Sequence, residues 1–197
     1  MRTGRPRSFD RDQALDRAVD VFWERGYEAT SVSALTTALG IGPASLYAAF
    51  GDKRTLFLEA LDRYLHTYGA FTMSVLEREP RAGAAVERLL YEAAAAYTRP
   101  DHPPGCLLIT AATNCTEQSA DVAARLRDLR AAGKRALHDR ISAAVRSGEL
   151  PPGTDAHALA TFYSAVLQGM SAQARDGASR ADLEHVAGIA LSAWPPR

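Results

Sequence analysis

The sequence contains few cysteines and histidines, the residues that most often bind zinc. It has two cysteines, Cys106 and Cys115, and five histidines in 197 residues. If both cysteines lay on one helix, they would be about 13 Å apart along its axis and on opposite faces, too far for a disulfide. No H-x-H, H-E-x-x-H or C-x-x-C spacing occurs, so no metal site is expected.

Long apolar runs are absent as well. The least charged stretch, residues 158–174, includes Thr161, Gln168 and other polar side chains, which makes it too polar for a membrane span. No apolar core of a signal peptide follows the N-terminal arginines. We therefore expect a cytoplasmic protein with reduced cysteines and no membrane partner.

The chain has no excess of either charge. Its formal net charge is zero, and residues 1–60 balance eight basic residues with eight acidic ones. Any surface that attracts a polyanion must therefore be local. The exception is the start of the chain, where Arg2, Arg5 and Arg7 have no acidic neighbour. On composition alone this arm is either a plain disordered terminus or an electrostatic contact.

Signatures of catalysis are missing. Gly40-Ile41-Gly42 does not continue to a third glycine and follows no strand, so it is not a dinucleotide loop. No G-x-S-x-G motif occurs. The sequence predicts a protein that is not an enzyme and needs no cofactor, with an all-α enzyme as the remaining alternative.

Helical signals dominate what is present, and the predicted class is all-α with about nine helices. Asp10 can cap a first helix that ends at Gly26. A short helix over 31–39 and another over 43–50 follow, separated by Gly40 and Gly42-Pro43. A long fourth helix, capped at Asp52, is predicted to run to about Arg78. Further helices are predicted near 81–98, 106–113, 119–147, 155–175 and 180–194.

The segment ALGIGPASLYAAFGDK, residues 38–53, joins the two short helices by a tight turn. This is the helix-turn-helix arrangement, in which the second helix enters the DNA major groove with its N-terminal residues towards the bases. Pro43, Ala44 and Ser45 keep that end slim. Small residues also occur in tightly packed helices, so the pattern alone leaves structural packing open as an alternative.

The order of motifs in residues 9–65 resembles the DNA-binding domain of the TetR family of transcriptional regulators. An alanine-rich helix ends in F-x-x-x-G-Y and is followed by T-S, A-L-G-I, S-L-Y and F-x-x-K. The resemblance implies a basic arm at 1–8, a DNA-binding domain at 9–54 and a ligand-binding and dimerisation domain at 55–197. The long fourth helix would join the two domains.

Carried over by position, the resemblance implies contacts to DNA phosphates or bases from a set of small, hydroxyl-bearing and basic residues. They are Thr30, Ser31, Ser33, Pro43, Ala44, Ser45, Tyr47 and Lys53, with Arg5 and Arg7 of the arm reaching phosphates or the minor groove. The chain departs from the family at Ala48 and Ala49, where many relatives have larger side chains, and at Gly42 and Arg54.

A single recognition helix makes too small an interface for selective binding, so a homodimer on a pseudo-palindromic DNA operator is expected. The helix predicted at 155–175 is uncharged from 158 to 174 and must be covered on two sides. We expect Leu159, Val166, Met170, Leu183, Val186 and Ile189 in the dimer interface. The alternative is that the helix at 155–175 is the central helix of a monomeric protein.

Aromatic and polar residues of the C-terminal two thirds could line an apolar cavity for a small-molecule effector. The candidates are Tyr64, Tyr68, Phe71, Tyr91, Tyr97, Leu108, Asn114, Phe162 and Gln168, each of which could instead be ordinary core. By resemblance, a bound ligand would change the separation of the recognition helices and release the DNA. A different hypothesis is that chemical modification of the Cys106 or Cys115 thiol induces release from DNA. The alternative is that both cysteines are unreactive.

The sequence therefore predicts a homodimeric, ligand-responsive transcriptional regulator, more specifically a repressor. An architectural DNA-binding protein without ligand control is the second interpretation, and it would need a larger basic surface than this neutral chain provides.

Overall fold

The N-terminal helices begin and end where local sequence signals place them. In the computed structural model, which describes residues 9–113 and 115–196, α1 spans Arg11–Arg25. The Asp10 carboxylate accepts hydrogen bonds from the amides of Asp12 and Gln13 at 2.9 and 3.2 Å. Gly26 ends the helix with φ 76°. The helix start and end were both predicted correctly, because caps depend on neighbouring residues.

Three further helices complete the N-terminal part. They are α2 (Val32–Leu39), α3 (Pro43–Phe50) and α4 (Lys53–His66). Helix α1 packs along α4 and against α2. Phe22 of α1 lies edge-on to Phe57 of α4, with 5.0 Å between the ring centroids. Both rings are fully buried, so they form the centre of this small core.

The predicted continuous helix from Asp52 to about Arg78 is interrupted. Helix α4 ends at His66, and α5 covers Phe71–Arg78. The amide of Gly69 donates to the Tyr64 carbonyl at 2.9 Å. A Cβ at Gly69 would lie 2.9 Å from the Tyr64 ring. The break therefore depends on a glycine packed closely against an aromatic side chain.

In the C-terminal part, the regular secondary structure of the described residues is also helical. Its helices are α6 (Ala82–Tyr97), α7 (Leu107–Thr110), α8 (Ala120–Arg146), α9 (Ala156–Arg175) and α10 (Arg180–Leu191), with a 3₁₀ turn at Glu117–Ser119 before α8. Helix α6 packs against α5, α9 and α10, and α8 packs against α9. The all-α class is confirmed.

One buried aromatic residue joins the two parts. Trp23 of α1 lies edge-on to Tyr64 at 4.8 Å between ring centroids. It stacks on His102, in the loop before α7, at 4.4 Å. Helix α7 contacts α1, α4 and α8. The N-terminal helices therefore pack directly on the C-terminal bundle.

No single helix in the described part of the chain has both the length and the apolar composition to cross a bilayer. The short helices α2 and α3 reach that length and composition only when they are counted together, and they are sharply bent against each other.

Candidate nucleic-acid interface and ligand cavity

Helices α2 and α3 meet at a sharp angle. Their axes are bent by 92° at the intervening turn, within the range of about 90–120° for helix-turn-helix motifs. Gly40 ends α2 in the left-handed conformation with φ 68°. A Cβ there would meet nothing within 4 Å, so the glycine is favoured by backbone conformation and not by space.

One face of the pair is buried and the other is open. Leu35 and Leu39 of α2 and Leu46 and Phe50 of α3 lie in the core. On the opposite face Pro43 and Ala44 are exposed, Ser45 is half-buried and Tyr47 is 49% exposed. The tip of α3 is therefore slim and uncovered by the described part of the chain.

The start of α2 offers exposed hydroxyl groups. The Ser31 Oγ caps α2 by accepting from the Ala34 amide at 3.0 Å. Its own proton remains available for donation. Ser33, the second residue of the helix, is also exposed. These side chains can meet phosphate oxygens beside a helix N-terminus.

Thr30 does not fit its predicted role. Its side chain is fully buried, and its hydroxyl donates to the Gly26 carbonyl at 2.6 Å. A group enclosed by the protein cannot reach a phosphate. Thr30 instead holds together the turn between α1 and α2.

Lys53 is held in position at the start of α4. Its Nζ lies 4.3 Å from the centroid of the Tyr27 ring, a cation–π contact. Partial burial lowers the pKa of Lys53, and the nearby Glu28 carboxylate opposes that shift. The Tyr27 ring thus holds the Lys53 ammonium group in place at the start of α4. Arg5 and Arg7, the predicted contacts of the arm, lie outside the described residues.

The N-terminal helices are linked to the start of α8 by a polar junction that the sequence did not reveal. The Glu28 carboxylate accepts from the amide and hydroxyl of Thr116 at 3.1 and 2.8 Å, and also from the Ser119 hydroxyl. These hydrogen bonds lower the pKa of Glu28, and the bond from Ser119 makes the largest contribution. Arg54 forms an ion pair with Asp121 in the first turn of α8.

A cavity of about 590 Å³ lies between α4, α5 and α8. Most of its lining is apolar or uncharged. The lining comprises Tyr64, Leu65, His66, Gly69, Ala70, Phe71, Thr72, Met73, Ser74, Glu77, Arg78, Tyr97, Cys106, Leu108, Leu129, Ala132 and Gly133. Its volume is within the range of about 300–1,000 Å³ of small-molecule sites.

The predicted pocket residues divide into two groups. Tyr64, Phe71, Tyr97 and Leu108 line the cavity. Tyr68 instead borders a neighbouring surface groove with His102. Three others are exposed and do not line the cavity: Tyr91 on α6, and Phe162 and Gln168 on α9. Asn114 lies outside the described residues.

Sequence reasoning also missed cavity residues. Ala132 and Gly133 of α8 line it, and a Cβ at Gly133 would meet nothing within 4 Å. Two adjacent small residues within an arginine-rich helix were the available signal. These two residues line a cavity only because α5 lies opposite them, and the sequence pattern of α8 alone does not predict the position of α5.

The two cysteines have different surroundings. Cys106 is buried beside the cavity and accepts a hydrogen bond from the Tyr64 hydroxyl at 3.3 Å. Burial raises the pKa of the Cys106 thiol. Cys115 is half-buried, and its thiol donates to the Ala111 carbonyl at 3.4 Å. No group of three His, Cys, Asp or Glu side chains within the described ranges could hold a metal ion.

Helices α9 and α10 expose several apolar residues, although Asp182 and His185 of α10 are exposed as well. Phe162, Val186 and Ile189 are exposed, and Ile189 is 75% exposed. Leu159 and Val166 are half-buried. We call this surface, with the exposed Gly169 and Gly188 among its small residues, the α9/α10 face.

Met170 and Leu183 were also expected in the dimer interface, but both are buried in the protein's own core. For Met170, the uncharged run of residues 158–174 does not show which side of α9 faces the core. Leu183 lies outside that run, on α10, where apolar spacing alone does not separate core from surface.

Comparison with family models matches both parts of the chain. Residues 14–60 match bacterial regulatory proteins of the tetR family, and residues 82–188 match the tetracyclin repressor-like C-terminal domain. The chain belongs to the TetR family. The resemblance inferred from the sequence motifs is confirmed.

TetR-family relatives match nearly the whole chain. The HTH-type transcriptional repressor ComR of Escherichia coli is 41% identical over 98% of this chain and 92% of its own length. The repressor BdcR of the same organism is 34% identical over 89% and 84%. The TetR family consists of transcriptional regulators, so the chain is a DNA-binding regulator and not an enzyme.

A solved TetR-family structure has the same fold. A cysteine variant of the regulator CifR, bound to 26-bp double-stranded operator DNA, is 46% identical with a TM-score of 0.93. The match covers 98% of this chain and all of that one.

Proposed function

We propose that the chain is a homodimeric repressor that binds a pseudo-palindromic operator through α3 and leaves it when a small molecule fills the cavity. The observation that carries this proposal is the exposed, slim tip of α3 above a buried inner face. Such a tip can approach the edges of base pairs in the major groove. Because its target is genomic DNA, we place the protein in the cytoplasm.

The contacts fall into two groups. Ser45, Ala44 and Pro43 would meet base edges, and Tyr47 and Lys53 would meet phosphates, which fix the register. Ser31 and Ser33 would meet phosphates from the start of α2. Arg5 and Arg7 remain proposed contacts of the arm. We propose that the arm is 1–8, the DNA-binding domain 9–54 and the effector and dimerisation domain 55–197.

Helix α8 connects the cavity to the DNA-binding helices. Leu129, Ala132 and Gly133 line the cavity, and the start of the helix is held by Arg54 at Asp121. Glu28 holds the preceding segment. A ligand that displaces α8 would therefore shift both contacts and change the separation of the two recognition helices in the dimer.

The proposal predicts that removing one exposed hydroxyl weakens operator binding. Operator fragments are first selected from random DNA with the purified protein. Tyr47→Phe should then bind them about three- to tenfold more weakly, since a phosphate contact to a hydroxyl contributes about 1 kcal/mol. Affinity is measured by fluorescence anisotropy at fixed salt.

Tyr91→Phe provides a matched control, because Tyr91 is an exposed tyrosine on α6. It should bind the operator as the wild type does. Failure to select any preferred DNA sequence would refute the proposed function. Equal affinities of Tyr47→Phe and wild type would refute only the Tyr47 contact.

A further inference from the structure

One tyrosine of the cavity lining has a hydroxyl without a protein partner among the described residues. Tyr97 is 6% exposed and lines the cavity. No hydrogen bond joins its hydroxyl to another group in the described part of the chain. Two other buried tyrosines are paired: Tyr64 donates to Cys106 Sγ at 3.3 Å, and Tyr163 to the Ala190 carbonyl at 3.3 Å. A donor without a protein acceptor can pair with an acceptor group in the cavity.

The inner wall around Tyr97 carries no charge. Tyr64 and Cys106 lie on the same wall, and burial raises the pKa of both tyrosines and of the thiol. All three groups are therefore neutral near pH 7.

The charged residues of the lining are Glu77 and Arg78, and His66 can also ionise. All three are exposed, so they lie at the solvent side of the cavity. Glu77 and Arg78 have opposite signs. The part-buried Arg130 cation behind this wall already donates to the Leu108 carbonyl at 2.8 Å. A buried ionic group of a ligand would therefore lose its hydration without gaining a free counter-ion among the lining residues.

We propose that the cavity binds an uncharged, largely apolar molecule whose hydrogen-bond acceptor pairs with the Tyr97 hydroxyl. This assignment rests on the proposed function, since the cavity is there the effector site. The acceptor would satisfy a donor that the protein leaves open. The apolar remainder would cover Phe71, Leu108 and Leu129, and would lie against the gap left by Gly133.

Three probes of similar shape test the assignment by isothermal titration calorimetry on the full-length protein. Benzophenone has a central carbonyl acceptor, diphenylmethane lacks it, and 4-benzoylbenzoate adds an anion. Benzophenone should bind the wild type about three- to tenfold more tightly than diphenylmethane. It should also bind at least about tenfold more tightly than 4-benzoylbenzoate.

Tyr97→Phe keeps the ring and removes only the hydroxyl. In this variant benzophenone and diphenylmethane should bind with equal affinity. Tyr91→Phe, changed on the same helix outside the cavity, should keep the wild-type preference. An unchanged preference in Tyr97→Phe, tighter binding of the anion, or no binding of any probe would overturn the assignment.

Operator release is measured separately by anisotropy in the presence of benzophenone. Binding that depends on Tyr97 but leaves the protein on its operator would support the assignment and contradict ligand control by this compound. Release without dependence on Tyr97 would contradict the assignment and support ligand control. The two proposals therefore fail independently.

Discussion

At the scale of single residues, burial separates two hydroxyl groups that look alike in the sequence. Thr30 and Ser31 are adjacent and both resemble helix caps or phosphate ligands. The Thr30 hydroxyl is enclosed and bonded to Gly26, whereas Ser31 is exposed and caps α2. A motif gives the residue type at each position, but only the packing of α1 on α2 decides which side chain remains accessible.

Thr30→Val should lower the free energy of unfolding by about 1–2 kcal/mol, because it leaves the Gly26 carbonyl without this donor in a buried setting. Ser33→Ala, an exposed change on the next helix, should alter stability by less than about 0.5 kcal/mol. Chemical denaturation of both variants provides the measurement. Equal stability of Thr30→Val and wild type would mean that the hydroxyl does not support the turn.

At the scale of helices, local signals predicted α1 to α3 well because caps and glycine turns act on their nearest neighbours. The break between α4 and α5 could not be predicted in the same way. It depends on Gly69 fitting against the Tyr64 ring. The cavity lining contributed by α8 likewise depends on which helix lies opposite Gly133. Long-range packing therefore accounts for most of what sequence reasoning missed in the cavity.

The junction at the start of α8 should respond to acid. Hydrogen bonds to the ionised Glu28 lower its folded-state pKa below the ordinary 4.5. Its stabilisation is therefore complete above the unfolded-state pKa and is lost as pH falls through the lower folded value. Glu28→Gln retains an acceptor without the charge, so its deficit in melting temperature should shrink as pH falls from 7 to about 3.

Glu117→Gln removes an exposed carboxylate from the same segment and serves as the control for a general loss of charge. Melting temperatures of the three proteins are compared across the pH series by circular dichroism. A deficit of Glu28→Gln that stays constant with pH would show that the ionised carboxylate is not what stabilises the junction.

At the scale of the whole molecule, we propose that a second copy covers the α9/α10 face. Ile189→Asp places a charge among exposed apolar residues, where a dimer would have to bury it. We expect the dissociation constant of the dimer to rise at least about tenfold and operator affinity to fall with it. Sedimentation velocity at micromolar concentration checks the oligomeric state.

Met73→Asp changes an exposed apolar residue on α5. Because Met73 also lines the cavity, it is the matched control for the oligomeric state alone. It should leave the oligomeric state unchanged. A wild-type protein that sediments as a monomer would contradict the proposed dimer, and an unchanged dimer in Ile189→Asp would contradict the assigned face.

Helix α3, PASLYAAF, carries no ionisable group other than the Tyr47 phenol. Preference between two DNA sites would then come from methyl contacts and neutral hydrogen bonds, which added ions screen little. Total affinity would still decline with ionic strength through phosphate contacts made elsewhere. The ranking of sites would consequently hold when a cell's internal salt rises or falls, even as occupancy of every site changes.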